Sequence, residues 1–179
     1  SEKTSTFYQR YEADIQRAAD IHLNSLRTSI SWSRLIPKGI GEINQKAVDF
    51  YNRVIDEFIE AGVEPFMNLY HFDMPMEIQN IGGFENREVV DAYVQYAKTC
   101  FELFGDRVKY WFTFNEPMIP AEAGYLHARH YPYVTEFKRA AQVLHNTIIG
   151  HCRAVDEFRK LNLSGEIGII MDVIPVYAR

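Results

Sequence analysis

The sequence has few cysteines and no long apolar run. Its two cysteines, Cys100 and Cys152, both fall in segments with a helical pattern, and we expect buried thiols in a reducing cytosol rather than a disulfide. No apolar run approaches the ~18 residues of a membrane-spanning helix. Ser1–Thr6 lacks the apolar core of a signal peptide. We therefore expect a cytoplasmic protein without a membrane partner.

The sequence also lacks the features of nucleic-acid, nucleotide and metal sites. The formal net charge is −5 and no basic stripe runs along the chain, which argues against nucleic acid as a partner. No glycine-rich phosphate loop follows any predicted strand. His127 and His130 have a spacing that a helix could use for a metal, but no carboxylate or cysteine pattern completes the site. The sequence therefore predicts neither a metal nor a cofactor.

What the sequence does contain is a regular alternation of helical and strand patterns. One predicted helix, for example, has Asn44 as a plausible N-cap, Gly62 as its stop, and a buried stripe of Val48, Tyr51, Ile55, Phe58 and Ile59. The predicted elements are helix 11–23, strand 25–32, helix 45–61, strand 64–70, helix 87–104, strand 108–114, helix 134–160 and strand 167–171. Mostly apolar strands between helices indicate an α/β fold with a parallel sheet, either doubly wound or closed as a barrel.

Polar side chains at the predicted strand ends favour the barrel. In a barrel, the residues just past the carboxyl end of each strand form the active site. Six candidates lie in or just after predicted strands: Arg27, Trp32, His71, Asp73, Asn115 and Glu116. The chain is therefore predicted to be one partial TIM (β/α)₈ barrel over residues 1–179, although four strands make only half of such a barrel.

Five short motifs identify a family. They are SISWSR at 29–34, YHFDMP at 70–75, GGFENR at 82–87, FGDRVK at 104–109 and TFNEP at 113–117. In this order and spacing the chain closely resembles glycoside hydrolase family 1, the retaining β-glucosidase and 6-phospho-β-glucosidase family, over nearly all of its length. The resemblance implies about strands two to five of the barrel, without the first strand and without the C-terminal half.

The resemblance also implies roles for individual residues. A retaining glycosidase uses two carboxyl groups ~5–5.5 Å apart, one as general acid/base and one as nucleophile. By resemblance Glu116 is the acid/base, Asn115 bonds the sugar 2-hydroxyl and His71 contacts the sugar hydroxyls. Arg27 resembles the arginine beneath the nucleophile, and Trp111 would stack or pack nearby.

Each of these residues also has a purely structural interpretation. Outside its motif, Glu116 would be a solvated or ion-paired carboxylate, and His71 a satisfied structural histidine. Arg27 could be a buried ion-pair partner. Asp73 is expected to cap a turn or helix before Pro75 rather than to perform chemistry.

The loop after the TFNEP motif indicates a branch of the family. It reads GYLHARHYP at 124–132, where many plain β-glucosidases have an Ala-Pro-Gly sequence. Together with HFDMPM at 71–76 it resembles the bacterial 6-phospho-β-glucosidases. The expected substrate is thus a β-glucoside, and specifically a phosphorylated disaccharide.

The family's nucleophile segment, an Ile/Val-Thr-Glu-Asn-Gly sequence, does not occur in the chain. We therefore expect the chain alone to be inactive, and to pair with a second copy through its exposed half-barrel surfaces. A truncated, non-catalytic sugar-binding or interaction protein is the alternative. Replacement of the nucleophile by Glu77 or Glu122 is a third possibility, but neither lies where barrel geometry would require it.

Overall fold

The computed structural model describes residues 6–173, 175 and 177. Ser1–Ser5, which make up most of the segment on which the leader prediction was based, lie outside the described residues. The helices are α1 (Phe7–Asp20), α2 (Trp32–Leu35), α3 (Gln45–Glu60), α4 (Met76–Asn80), α5 (Glu88–Phe104), α6 (Met118–Tyr125) and α7 (Phe137–Lys160), with a 3₁₀ turn at Gly83–Glu85. The strands are β1 (Ser25–Ser29), β2 (Glu64–Tyr70), β3 (Tyr110–Asn115) and β4 (Glu166–Ile170).

The four strands form one parallel sheet in chain order, β1-β2-β3-β4. Ser29, Asn68, Phe112 and Gly168 lie side by side across the sheet. The register shifts between Phe112 and Asn115, at the carboxyl end of β3. Within the part of the chain that the structure describes, β1 and β4 are the two edges. The alternating order and the parallel sheet confirm the predicted α/β fold.

The two faces of the sheet differ in burial. Met67 and Trp111 are buried, whereas the partly exposed rings of Phe66, Tyr110 and Phe112 contact one another beside them. Because successive side chains of a strand point to opposite faces of the sheet, these two sets of residues lie on opposite faces. The face with Met67 and Trp111 is covered by helices, and the face with the three rings is more open. The covered face holds the core, which includes most of the predicted stripe of α3. Ile59 is the exception, with 49% of its surface exposed.

Two tyrosines of α5 fix the carboxyl ends of three strands. The Tyr96 hydroxyl lies 2.7 Å from the Ile30 carbonyl oxygen and 2.8 Å from the Leu69 carbonyl oxygen, so it bridges β1 and β2. The Tyr93 hydroxyl donates to the Thr113 carbonyl oxygen of β3 at 2.6 Å. These bonds are fully buried and hold in place the strand ends where the candidate site residues lie.

Several predicted boundaries are wrong. The strand predicted to reach Trp32 ends at Ser29, and Trp32 begins α2, where its buried indole donates from Nε1 to the Gly39 carbonyl oxygen at 3.1 Å. The first helix is Phe7–Asp20 rather than 11–23.

Cys100 is buried as expected, but Cys152 is exposed. No helix among the described residues is long and apolar enough to cross a membrane.

Candidate active site

Glu116 follows β3 directly and has an unusual backbone conformation. Its φ is +47°, in the left-handed region that a residue with a Cβ seldom adopts. Its backbone N–H donates to the Ile170 carbonyl oxygen of β4 at 2.9 Å, and its own carbonyl oxygen accepts from Ile119 at 3.0 Å. The side chain is half-buried. The register shift and the following α6 therefore fix Glu116 at the carboxyl end of the sheet, and such strain is concentrated at functional sites.

Asn115, the last residue of β3, is held by an arginine from a strand that does not pair with β3. Arg27 Nη1 of β1 donates to Asn115 Oδ1 at 3.0 Å. Because β2 lies between β1 and β3, the arginine side chain crosses over β2 to reach the amide. Asn115 is buried, and the bond occupies its carbonyl oxygen and so sets the direction of its Nδ2 group.

His71 and Phe72 follow β2, at the neighbouring strand end. His71 is exposed, and its ring contacts the Phe72 ring edge to face with centroids 5.1 Å apart. Phe72 has a φ of +67° and leaves 40% of its surface exposed. Among the described residues, no hydrogen bond joins His71 to Arg27, Asn115 or Glu116. The structure thus joins Arg27 to Asn115, has Glu116 next to Asn115 in the chain, and places His71 at the end of the adjacent strand.

Asp73 has a structural role, but not as a helix cap, because the N-terminus of α4 after Pro75 has no side-chain cap hydrogen bond. Its Oδ1 accepts from the His71 backbone N–H at 3.4 Å. Burial raises the pKa of its carboxyl group, opposed by hydrogen bonds from the Ser31 hydroxyl and from the backbone N–H groups of His71, Asp73 and Trp32. Asp73 therefore ties the segment after β1 to the segment after β2.

Two clefts flank α6 at this end of the sheet. One, of about 350 Å³, is lined by Glu116, and by Glu122, Met171 and Asp172 among others. The other, of about 520 Å³, is mainly aromatic and thioether-lined and includes Phe72. A larger cavity, of about 610 Å³, lies at the amino end of β4 and contains none of the predicted site residues.

One predicted site residue lies elsewhere. Trp111 is buried on the helix-covered face, with its ring 5.1 Å from Phe101 of α5 and Nε1 donating to the Val108 carbonyl oxygen at 3.1 Å. Of the two predicted roles, stacking or packing near the site, stacking is wrong, and Trp111 packs in the core beneath the sheet. His127 Nε2 lies 3.2 Å from Glu122 Oε1. In the described segments no group of three or more His, Cys, Asp or Glu side chains could hold a metal ion.

Asn68 of β2 was not predicted as a site residue. It is 1% exposed, its Nδ2 donates to the Tyr70 carbonyl oxygen at 3.0 Å, and its Oδ1 has no hydrogen-bond partner among the described residues. Ser29 lies beside it on β1 and Phe112 on β3. The sequence signal that could have identified Asn68 is an amide side chain within an otherwise apolar strand. A polar group buried there needs a hydrogen-bond partner, and one without a partner requires an explanation.

Comparison with known proteins identifies a family. Residues 1–178 match glycosyl hydrolase family 1. The chain is 57% identical to the 6-phospho-beta-glucosidase GmuD of Bacillus subtilis over 98% of the chain and 38% of that protein. It is 42% identical to beta-glucosidase A of Thermotoga maritima, over 92% of the chain and 37% of that protein. A 6-phospho-beta-galactosidase of Clostridium acetobutylicum is 43% identical, over 93% of the chain and 35% of that protein. The chain thus spans less than two fifths of the length of these relatives.

Solved structures agree with the sequence matches. The family 1 β-glucosidase of Thermotoga maritima superposes with a TM-score of 0.89 and 42% identity, over 92% of the chain and 37% of that structure. The same enzyme in complex with glucoimidazole superposes with a TM-score of 0.88 and 43% identity, over 91% of the chain and 37% of that structure. These neighbours are TIM-barrel enzymes, and the four-stranded parallel sheet corresponds to part of that barrel. The predicted partial barrel is confirmed.

Proposed function

The chain belongs to glycosyl hydrolase family 1, and from this premise we propose that it carries the general acid/base, Glu116, of a retaining β-glycosidase. The observation on which the proposal depends is the backbone position of Glu116, fixed in a left-handed conformation at the carboxyl end of β3 and half-buried beside a cleft. A general acid must be presented to the leaving oxygen in a fixed position, and this backbone supplies one.

In the proposed reaction Glu116 protonates the glycosidic oxygen as the bond to the anomeric carbon breaks. A nucleophilic carboxylate from outside this chain attacks that carbon, and Glu116 then deprotonates the water that releases the sugar. Asn115 donates from Nδ2 to the 2-hydroxyl, with its amide held by Arg27. Arg27 keeps the nucleophile ionised, and His71 binds sugar hydroxyls at the end of β2. We expect no turnover by the chain alone.

The proposed substrate is a 6-phospho-β-glucoside. Support comes from the 57% identity to a 6-phospho-beta-glucosidase, compared with 42% to a β-glucosidase. It is tested in a complete barrel that contains the chain, by the ratio of kcat/KM for a chromogenic β-glucoside 6-phosphate to kcat/KM for the unphosphorylated glucoside. A ratio above about 100, worth ~2.7 kcal/mol of transition-state binding, fits the proposal. A ratio near one contradicts it.

The role of Glu116 can be tested in a complete barrel. The chain replaces the matching segment of the 57% identical Bacillus subtilis relative, and Glu116→Gln is introduced. We expect kcat/KM for a phenyl glycoside to fall about 10³-fold. The fall should be far smaller for a dinitrophenyl glycoside, whose leaving group needs no proton.

Glu122→Gln is the matched control, because Glu122 lines the same cleft. We expect this variant to keep kcat/KM within about threefold, since its carboxylate is exposed and lies six positions along the chain in α6. Equal losses in the two variants, or a Glu116→Gln loss that does not depend on the leaving group, would contradict the assignment.

A further inference from the structure

The carboxyl end of β3 contains one residue more than the part of β4 that faces it. Phe112 pairs with Gly168 and Asn115 pairs with Ile170, so β3 advances three residues where β4 advances two. Such an extra residue is a β-bulge, which is rare between parallel strands and often lies next to an active site, where it re-aims a side chain. This bulge comes directly before Glu116.

Two consecutive side chains of the bulge point to the same side of the sheet. Thr113 contacts His151 of α7, and the Phe114 ring lies 4.3 Å from the Tyr93 ring of α5, so both face the helices. Asn115 lies on the more open face, where the guanidinium of β1 bonds its amide. Without the extra residue, strict alternation would place Asn115 on the helix-covered face. The bulge therefore sets the face on which Asn115 lies and the direction in which the chain continues to the acid/base.

The Thr113 side chain connects the bulge to both of its neighbours. Its Oγ1 lies 3.2 Å from the Gly168 carbonyl oxygen of β4 and 2.8 Å from His151 Nδ1 of α7. Both bonds form together only if the hydroxyl donates its one proton to Gly168 and the His151 Nδ1–H donates to Oγ1. Burial lowers the pKa of His151, which favours a neutral ring with that single proton on Nδ1.

Helix α7 contacts the bulge at a second position. Gly150, next to His151, faces the Phe114 ring, and a Cβ there would lie 3.4 Å from Phe114 Cζ and 3.2 Å from Tyr93 Cδ1. Glycine destabilises the interior of a helix, so the space that these rings need explains its presence here. Gly150 and His151 thus hold two successive residues of the bulge from the helix-covered side.

From these contacts we infer that His151 is a positioning residue for the acid/base, because through Thr113 it holds the bulge that aims Glu116. The inference rests on the proposed function of Glu116 and adds a residue that lines neither of the two clefts beside α6. Proton transfer to the leaving oxygen requires a fixed geometry, and a misplacement of about 1 Å can cost about 10²-fold in rate. The bulge is the last part of β3 before Glu116, so a change in its geometry displaces that carboxyl group.

The test uses the complete barrel and the phenyl and dinitrophenyl glycosides of the preceding experiment. We expect His151→Leu, which removes the donor to Thr113, to lower kcat/KM about 10-fold or more for the phenyl glycoside and less than about twofold for the dinitrophenyl glycoside. Thr113→Val, which removes the hydroxyl, should show the same difference between the glycosides. A purely structural role would lower both values alike, because loss of folded enzyme does not depend on the leaving group.

The controls are one matched histidine and two conservative variants. His145 is exposed on the same helix, and His145→Leu should keep kcat/KM within about twofold for both glycosides. His151→Asn, whose amide can donate from near the position of Nδ1, and Thr113→Ser, which keeps the hydroxyl, should each retain at least about a third of the parent value for the phenyl glycoside. Circular dichroism checks that each variant folds.

A second measurement requires no turnover. Nitrogen-15 NMR of the histidine-labelled 179-residue chain, with the His151 signal assigned by its loss in His151→Asn, should show the ring proton on Nδ1. A proton on Nε2 of the neutral ring would overturn the inference, because Thr113 could not then bond both partners.

Two kinetic results would also overturn the inference. They are equal losses for the two glycosides in His151→Leu or Thr113→Val, and a His151→Leu loss no larger than that of His145→Leu. Failure of the proposed function would instead show as a Glu116→Gln loss that does not depend on the leaving group, with the His151 proton still on Nδ1. The two failures are therefore distinguishable.

Discussion

Arg27 and Asn115 connect two strands that do not pair with each other. The guanidinium reaches across β2 and bonds an amide that is 2% exposed. A buried amide oxygen without a donor costs about 1–3 kcal/mol. The bond therefore stabilises the sheet and also fixes the amide that we propose to bind the sugar.

A double-mutant cycle measures this connection. We expect Arg27→Met and Asn115→Ala to couple by about 1 kcal/mol in the free energy of unfolding, a value reduced because Arg27 itself is exposed. Urea unfolding of the single and double variants gives the coupling. Arg10→Met, an exposed position in α1, is the control partner and should be additive with Asn115→Ala. Additivity of Arg27→Met as well would show that the bond contributes nothing measurable.

At the residue scale the sequence was most informative where a motif set the position. It placed Asn115 and Glu116 at the end of β3 and His71 after β2, as the structure has them. It could not predict that Trp111 faces α5, because which side of a strand faces the helices depends on register. Nor could it show that Asn68 Oδ1 is buried without a partner, since this depends on the strands on either side.

The carboxyl group of Asp73 connects the segments that follow β1 and β2. Asp73 accepts hydrogen bonds from both segments, and burial raises the pKa of its carboxyl group above the usual 3.8. The folded protein therefore holds this proton at pH values where the unfolded chain has lost it. Stability consequently falls as pH rises from about 3.8 through the raised pKa.

Asp73→Asn should remove this dependence. The amide oxygen still accepts hydrogen bonds but carries no charge, so we expect the variant to lose less stability than the parent between about pH 4 and pH 7. Urea midpoints measured across that range give the difference curve. Asp156→Asn, at an exposed position of α7, is the control and should follow the parent. Parallel stability curves for Asp73→Asn and the parent would show that a raised pKa of Asp73 is not the cause of the fall in stability with rising pH.

At the element scale the long elements were predicted to within a few residues, and β2 was predicted with both bounds correct. The short helices α2, α4 and α6 were missed because four to eight residues carry little periodicity. In α6, Pro120 is the third residue of the helix. Proline is tolerated there because the first-turn N–H groups of a helix have no intrahelical acceptor.

At the scale of the whole chain, the residues that the structure describes leave two strand edges. Within the described residues β1 and β4 each pair on one side, and the partly exposed rings of Phe66 and Phe112 lie on the more open face of the sheet. The alternation of elements was sufficient to predict this architecture, since parallel strands need helical crossovers. What covers the open face could not be predicted, because helix and strand periodicity describes only contacts within the chain.

Unpaired parallel strands and exposed rings predict self-association, because each edge offers backbone N–H and C=O groups to another strand. We expect sedimentation velocity of the purified chain to show dimers or larger species at tens of micromolar.

Lysines on an edge oppose such pairing, since the incoming strand would have to bury their charges. Ser25→Lys combined with Ser29→Lys on β1 should therefore shift the distribution toward monomer. Ser164→Lys, in the exposed turn before β4, adds a lysine away from the β1 edge and should not. A parent chain that sediments as a single monomer would mean that neither edge associates. Equal effects of the β1 lysines and the turn lysine would show that association depends on net charge rather than on the β1 edge.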